Sequence, residues 1–172
     1  NSKYAELEAP IHWLIRAGLV HKIPICDQIR IPLKAHCDDS RFILYLFDVG
    51  MLGAMTDLSP YAIRDYNYGS YKGYFAENFV LQEMVSSGNV SLFSWQENTS
   101  QIEFLLSSGE DVFPIEVKAG VSTKAKSLGI FQQKYSPKSA YLLSGKAYKP
   151  CTRNRQMLPL YYACQLQELI RQ

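Results

Sequence analysis

Several features that mark common protein classes are absent from this chain of 172 residues. No run of about 18 apolar residues occurs, so the sequence predicts no membrane-spanning helix. There is no G-x-x-x-x-G-K-[ST] phosphate-binding loop, no G-x-S-x-G nucleophile motif, and no histidine after His36. The sequence therefore predicts neither an ATPase motor nor a serine hydrolase within these residues.

The cysteines also lack a recognisable spacing. They stand at positions 26, 37, 151 and 164, and none forms a C-x-x-C pair. Interpreted as free thiols, they are typical of a reducing cytoplasm, which is the predicted location. The chain starts at Asn1 directly in a helical pattern, which favours a fragment of a longer protein.

Charge is unevenly distributed along the chain. The formal net charge is +2, yet no Asp or Glu occurs between Val117 and Gln167. The basic residues of this stretch are Lys118, Lys124, Lys126, Lys134, Lys138, Lys146, Lys149, Arg153 and Arg155. A basic face attracts polyanions, and phosphate contacts supply most of the non-specific affinity for nucleic acid. The bias predicts DNA as a partner, with an ordinary solvated surface as an alternative of equal weight.

A β-hairpin is predicted in the middle of the chain. Two runs rich in branched and aromatic residues flank a polar turn; they are residues 101–106 and 112–118. Side chains in a strand alternate between two faces, which places Glu116 and Lys118 on the same face. On the neighbouring strand, Glu103 is predicted to share its face with Leu105. A favourable register would bring two carboxylates and an ammonium group together.

These side chains fit two interpretations. A glutamate and Lys118 can form an ion pair on a solvated sheet face, an arrangement that is common and contributes little stability. Alternatively, two carboxylates supply the oxygen ligands that Mg²⁺ prefers. A lysine beside such an ion can position the attacking water or offset charge on a phosphoryl transition state. Spacing alone gives the two interpretations equal weight.

The order of the surrounding segments is more specific than the hairpin. The succession is Tyr-Leu-Phe-Asp-Val-Gly-Met-Leu at 45–52, Gly-Tyr-Phe-Ala-Glu-Asn-Phe-Val at 73–80, Leu-Phe-Ser-Trp at 92–95, Gln-Ile-Glu-Phe at 101–104 and Pro-Ile-Glu-Val-Lys at 114–118. This succession resembles the C-terminal domain of unknown function carried by many prokaryotic AAA+ type ATPases. An acidic residue followed by Glu-x-Lys also resembles the motif of the PD-(D/E)xK nuclease superfamily, which has the restriction-endonuclease-like fold. The resemblance extends from about Arg41 to the end of the chain.

The resemblance implies roles for five residues. Glu103, Glu116 and the Val117 carbonyl would hold Mg²⁺ or Mn²⁺. Lys118 would act on the water or the developing charge, and Glu77 in a helix predicted at 73–85 would support the site. The structural alternative for Glu77 is stabilisation of a helix N-terminus. The resembling domains usually read Glu-Val-Asp-Phe where this chain reads Gln-Ile-Glu-Phe, which leaves both a working and an inactive site open.

The whole chain predicts an α/β protein in two parts. Residues 1–38 contain a helix at 5–17, a stop at Gly18 and an extended piece at 19–25, and they resemble the end of a winged-helix module. Residues 39–172 are the predicted nuclease-like domain, a mixed sheet flanked by helices. Its other predicted elements are a buried strand at 41–47, a helix at 49–55 capped by Asp48, strands at 90–95 and 139–144, and helices at 126–134 and 158–170.

Two functions follow with nearly equal weight, and a third is weaker. The first is a Mg²⁺-dependent phosphodiesterase acting on DNA and attached to an upstream ATPase domain. The second is a nuclease-like domain that no longer cuts and serves as a DNA-binding or protein-docking appendage of that ATPase. The third is a structural interaction domain whose interface is the tyrosine-rich surface near residues 61–71. The sequence does not predict the oligomeric state.

Overall fold

The computed structural model describes residues 4–65, 68–88, 90–122, 124–148 and 154–171. Within these ranges the helices are α1 (Tyr4–Arg16), α2 (Val49–Met55), α3 (Pro60–Arg64), α4 (Lys72–Ser86), α5 (Lys126–Tyr135) and α6 (Leu166–Arg171). The strands are β1 (Val20–Cys26), β2 (Cys37–Leu46), β3 (Phe93–Glu97), β4 (Ser100–Ser108), β5 (Asp111–Lys118), β6 (Ala140–Ser144) and β7 (Arg155–Pro159). Short 3-10 helices occupy Leu33–His36, Gly69–Tyr71 and Leu160–Gln165. None of the described helices has the length and hydropathy needed to cross a membrane.

All of these strands belong to one mixed sheet with the order β2-β1-β3-β4-β5-β6-β7. The pairs β1–β3, β5–β6 and β6–β7 are parallel, and the pairs β1–β2, β3–β4 and β4–β5 are antiparallel. Helix α5 lies in the connection between β5 and β6, because parallel neighbours need a crossover rather than a tight turn. The predicted mixed α/β sheet flanked by helices is therefore confirmed.

The sheet is covered on both faces. On one face, Val80, Leu81 and Met84 of α4 pack with Phe104 and Ile115, and the cluster extends to Ala163 and Leu166 near the C-terminus. On the other face, Leu128 and Phe131 of α5 pack with Trp95, Ile102 and Leu142. The strands between these layers are buried on both sides, which explains their nearly continuous apolar runs.

The predicted hairpin is confirmed as β4 and β5. The strands pair from Phe104 with Ile115 out to Ser108 with Asp111, so only two residues remain in the turn. The first of them, Gly109, has a φ of +60°. Tight hairpin turns favour glycine at such a position because a side chain is strained in that conformation.

The predicted boundary between residues 38 and 39 falls inside a strand. β2 begins at Cys37, and β1 lies between β2 and β3 in the sheet. The two predicted parts therefore share one hydrogen-bonded sheet. The prediction of a buried strand at 41–47 is wrong in one respect: β2 is at the edge of the sheet, and within 41–47 only Tyr45 is buried.

The C-terminal segment also differs from its prediction. Instead of one helix over 158–170, the chain forms the end of β7, the 3-10 helix Leu160–Gln165 and the short helix α6. Pro159 is extended, with φ −62° and ψ 152°. A proline disfavours the helical conformation of the residue before it, so the helical pattern cannot begin as early as Leu158.

The expectation of free thiols is wrong for Cys26 and Cys37. These residues pair directly across β1 and β2, with their Cα atoms 4.3 Å apart, and they form a disulfide. Cys164 is free, and Cys151 lies outside the described residues. The cytoplasmic location stays a prediction.

Candidate active site

A cleft of about 610 Å³ opens beside the hairpin, between β2 and the N-terminal half of α4. Four of the five residues with predicted roles line it: Glu77, Glu103, Glu116 and Lys118. The other lining residues are Ile43, Leu44, Tyr45, Leu46, Leu52, Thr56, Tyr71, Tyr74, Asn78, Thr99, Gln101 and Ser127. The expected convergence of two carboxylates and one ammonium group is therefore present in the fold.

An irregularity in β4 lies beside Glu103. Phe93 of β3 pairs with Leu105, and Trp95 pairs with Ile102, so two steps along β3 correspond to three along β4. Ile102 and Leu105 consequently pack into the same cluster against α5. The strict alternation that placed Glu103 on the face of Leu105 does not hold here. A bulge of this kind commonly re-aims a side chain beside a functional site.

The Glu103 carboxylate forms a hydrogen bond with the backbone of the neighbouring strand. One of its oxygens accepts a hydrogen bond from the Val117 amide of β5 at 3.0 Å. Burial and then the neighbouring Glu116 carboxylate raise the pKa of Glu103 to about 8. In the absence of a cation, Glu103 is therefore mostly protonated at neutral pH, because this form avoids a second buried negative charge.

The Glu116 carboxylate is the most deeply buried charge of the site. Its side chain is 2% exposed, and Oε1 lies 2.6 Å from Nζ of Lys118, whose side chain is 33% exposed. The second oxygen, Oε2, is buried without a hydrogen-bond partner among the described residues. For Lys118, burial lowers the pKa, but the hydrogen bond to Glu116 and the charges of Glu116, Glu103 and Glu77 together raise it. Lys118 is therefore a permanent cation at neutral pH.

Glu77 reaches the cleft from α4. Asn78, next to it, exchanges two hydrogen bonds with the backbone of Leu46, and these bonds attach the helix to β2. Tyr45 of β2 donates its hydroxyl to Oε2 of Glu77 at 3.1 Å. Burial raises the pKa of Glu77, while the hydrogen bond from Tyr45 and the charge of Lys118 oppose the rise. Burial and the Glu77 charge also raise the pKa of Tyr45, so its hydroxyl stays a donor.

Val117 differs from the other four residues. Its side chain packs in the core cluster under α4, its amide is used by Glu103, and it does not line the cleft. Its carbonyl as a metal ligand stays a prediction.

The basic run after Val117 does not gather at the cleft. Lys134 forms an ion pair with Glu97, and Lys138 pairs with Asp111 at the opposite end of β5 from Lys118. Lys118 is the residue of this run, within the described part of the chain, that lines the cleft. Lys126 is exposed and adjoins the cleft-lining Ser127. Lys149 and Arg153 lie outside the described residues.

The sequence analysis missed the part played by Tyr45. Its contact with Glu77 joins residues 32 positions apart, and no local pattern signals such a contact. Tyr71 and Tyr74 lie in or beside the tyrosine-rich segment, but their position at the mouth of this cleft depends on how α4 docks onto the sheet.

The donor set fits a hydrated divalent cation better than a closed metal cage. Among the described residues, no group of three or more His, Cys, Asp or Glu side chains forms a ready metal cluster. Mg²⁺ keeps several waters and needs only one or two carboxylates from a protein. Glu103 and Glu116 are the two carboxylates that could supply such ligands, since both line the cleft and Oε2 of Glu116 has no hydrogen-bond partner among the described residues.

Comparison with known proteins gives a family without an assigned function. The family model for a domain of unknown function, DUF4143, matches residues 72–162, which is more than half of the chain. The matched residues include Glu77, Glu103, Glu116 and Lys118. No curated protein and no solved structure matches the chain.

Proposed function

The chain belongs to the DUF4143 family of domains of unknown function, and we propose that its acidic cleft is the active site of a Mg²⁺-dependent phosphodiesterase that acts on DNA. In this proposal the domain is an appendage of an ATPase. The assignment of that partner is based on the sequence resemblance alone. The restriction-endonuclease-like fold and the remnant of a winged helix at residues 1–38 are parts of the same proposal.

The buried oxygen of Glu116 carries the proposal. A buried carboxylate oxygen without a partner costs roughly 1–3 kcal/mol or more relative to one that is hydrogen-bonded. Lys118 compensates one oxygen of Glu116, and Oε2 has no compensation among the described residues. A cation at the cleft, shared with Glu103, would remove this penalty. It would also favour the ionised form of Glu103, so binding would release a proton and strengthen as the pH rises.

Each cleft residue has a role in this mechanism. Glu103 and Glu116 would hold Mg²⁺, which supplies Lewis-acid stabilisation of the phosphoryl oxygens when it is bound. Lys118 would orient the attacking water or offset the charge that develops on the phosphate, because it lines the cleft and its ammonium group lies 2.6 Å from Oε1 of Glu116. Glu77, held in place by Tyr45, would accept a hydrogen bond from a water molecule and thereby orient it.

The second candidate is a nuclease-like domain that does not cut. The Lys118–Glu116 ion pair favours it, because the lysine already neutralises the carboxylate that should hold the ion. If the domain does not cut, its scattered basic residues favour docking of a protein over tight binding of DNA. The two candidates differ in one property, which is saturable binding of a divalent cation at the cleft.

Titration calorimetry with Mg²⁺ and Mn²⁺ tests this property. The wild type, Glu116→Gln and Glu110→Gln should be compared, since Glu110 is an exposed glutamate in the turn of the same hairpin. We expect saturable binding in the wild type and in Glu110→Gln, and none in Glu116→Gln. The same samples should nick a supercoiled plasmid in the presence of the metal, with cleavage lost only in Glu116→Gln.

The outcomes separate the two candidates. Binding and nicking that both disappear in Glu116→Gln support the phosphodiesterase. Absence of saturable metal binding in the wild type at millimolar concentrations would refute it and leave the non-cutting appendage. Circular dichroism of each variant establishes that a loss of binding is not a loss of fold.

A further inference from the structure

Two exposed tyrosines stand at the mouth of the acidic cleft. Tyr71 is 53% exposed and Tyr74 is 62% exposed, and both line the cleft that holds the carboxylates. Tyr74 precedes Glu77 by three residues in α4, which places the two side chains on the same helix face. The rings of Tyr71 and Tyr74 have centroids 6.4 Å apart and planes inclined by 49°.

These rings are not needed to build the core. Phe75, the next residue of the helix, is 9% exposed and is the aromatic side chain that α4 buries at this point. A tyrosine with more than half of its surface in water contributes little to folding and offers a ring face to a ligand. Neighbouring rings at the entrance of a polar cleft are therefore better explained by binding than by packing.

Polar groups also line the cleft. Thr99, Gln101 and Ser127 line it, and Lys126 is exposed immediately before Ser127. Among the described residues Lys126 has no ion-pair partner, in contrast to Lys134 of the same helix. These polar groups can contact a phosphate chain while the tyrosine rings contact the bases attached to it.

We infer that the cleft binds single-stranded nucleic acid, with unpaired bases stacked on Tyr71 and Tyr74 and the backbone directed toward Glu103 and Glu116. The inference rests on the proposed function for the role of the carboxylates. Every base has a π face, so aromatic side chains bind single strands with little dependence on sequence. Bases inside a duplex already stack on one another, and their faces are not accessible to two surface tyrosines. The cleft should therefore select a single strand over a duplex.

Fluorescence anisotropy with a labelled oligodeoxynucleotide tests the inference apart from cleavage. Binding should be measured for the single strand and for the same strand in a duplex, and a gel should establish that the probe stays intact. The variants are Tyr71→Ala, Tyr74→Ala, and the corresponding changes to Phe. Tyr61→Ala is the matched control, because Tyr61 is 70% exposed and does not line the cleft.

The expected result is preferential binding of the single strand. Each change to Ala should weaken this binding roughly fivefold to a hundredfold, which is the range for loss of one stacked base. Each change to Phe and the Tyr61→Ala control should leave it within about twofold, because the stacking face or the cleft is unchanged. An oligoribonucleotide of the same sequence distinguishes RNA from DNA, and preference for either single strand over its duplex supports the inference.

The failure of this inference differs from failure of the proposed function. Equal binding of single strand and duplex, or binding that does not change in either Ala variant, overturns the inference even if the metal-dependent nicking is observed. Tyrosine-dependent binding of the single strand without metal binding or nicking keeps the inference and removes the phosphodiesterase. If a partner protein and not a nucleic acid covers the tyrosines, we expect no tyrosine-dependent preference for the single strand, and the inference fails.

Discussion

Replacing Glu103 with Gln should stabilise the protein, and by more at higher pH. Glu103 is 8% exposed, and its pKa is raised to about 8 by burial and by the Glu116 carboxylate. Gln has nearly the same shape, and its amide oxygen can still accept the hydrogen bond from the Val117 amide. The substitution therefore removes the ionisation of Glu103 and retains its structural contact.

The size of the effect follows from the pKa in the two states. The ordinary pKa of the glutamate is 4.5, and the folded value is about 8. Below pH 4.5 both the folded and the unfolded chains hold the proton, so Glu103 contributes no penalty. Between pH 4.5 and 8 the unfolded chain ionises first, and the free energy of unfolding falls by up to about 1.4 kcal/mol per pH unit. The ceiling is about 4–5 kcal/mol above pH 8, and about 3 kcal/mol is reached at pH 7.

Urea denaturation from pH 4 to pH 9 in the presence of EDTA measures this difference. We expect Glu103→Gln to match the wild type near pH 4 and to exceed it progressively up to about pH 8. Glu110→Gln, which makes the same change at the exposed end of the hairpin, should show no such gain. Saturating Mg²⁺ should narrow the gap at pH 8, because a cation held by Glu103 and Glu116 stabilises the wild type more than a variant that lacks one of the two carboxylates.

A gain from Glu103→Gln that is equal at every pH would refute the reasoning, since it would show a packing effect and not an ionisation. Loss of stability at pH 8 would also refute it. Such a loss would mean that ionised Glu103 is stabilised in the folded protein.

Two further predictions concern stability. Lys118→Ala should lower the free energy of unfolding by about 1–3 kcal/mol, because buried Glu116 loses its counterion. This loss is smaller than for a fully buried ion pair, since the Lys118 side chain is 33% exposed. In urea denaturation, Glu116→Gln added to Lys118→Ala should recover part of this loss, and an unchanged stability of the single variant would contradict the pairing. Asp48→Ala should cost about 1 kcal/mol because the carboxylate accepts the Met51 amide at the start of α2. Thermal denaturation measures this loss, with Asp48→Asn as the variant that should retain most of the cap.

The elements that were predicted correctly are those whose signals are local. The hairpin follows from two apolar runs and a polar turn that contains Gly109. Helix α1 ends where Gly18 adopts a φ of +71°, and Asp48 caps α2 as expected. Helix α4 extends from Lys72 to Ser86, within one residue of the predicted bounds.

The features that were not predicted depend on distant parts of the chain. The position of β1 between β2 and β3 includes a parallel pairing with β3, which lies far along the chain, and the local sequence of β1 carries no signal for that partner. The edge position of β2 explains why an apolar run is only partly buried. β7 pairs in parallel with β6, and its short sequence Arg-Gln-Met-Leu-Pro carries no strong strand signal.

The candidate site shows the same division. The alternation of residues in β5 placed Glu116 beside Lys118, and the two form an ion pair. The orientation of Glu103 depends on the bulge opposite Phe93–Trp95, which the sequence does not reveal. The depth at which Glu116 is buried also depends on the surrounding layers, and so does the expected loss of stability in Lys118→Ala. The sequence-based alternative was an ion pair on a solvated sheet face, which would contribute little stability.

The order of the strands means that the folding unit of this protein is larger than its matched family segment. β3 is joined to β1 on one side, and both β1 and β2 precede the matched residues 72–162. A chain trimmed to those residues would present the edge of β3 as a row of unpaired amide and carbonyl groups, which is a template for aggregation. It would also lose Tyr45 and with it one wall of the cleft. The segment that identifies the family and the segment that completes the sheet are therefore different lengths of the same chain.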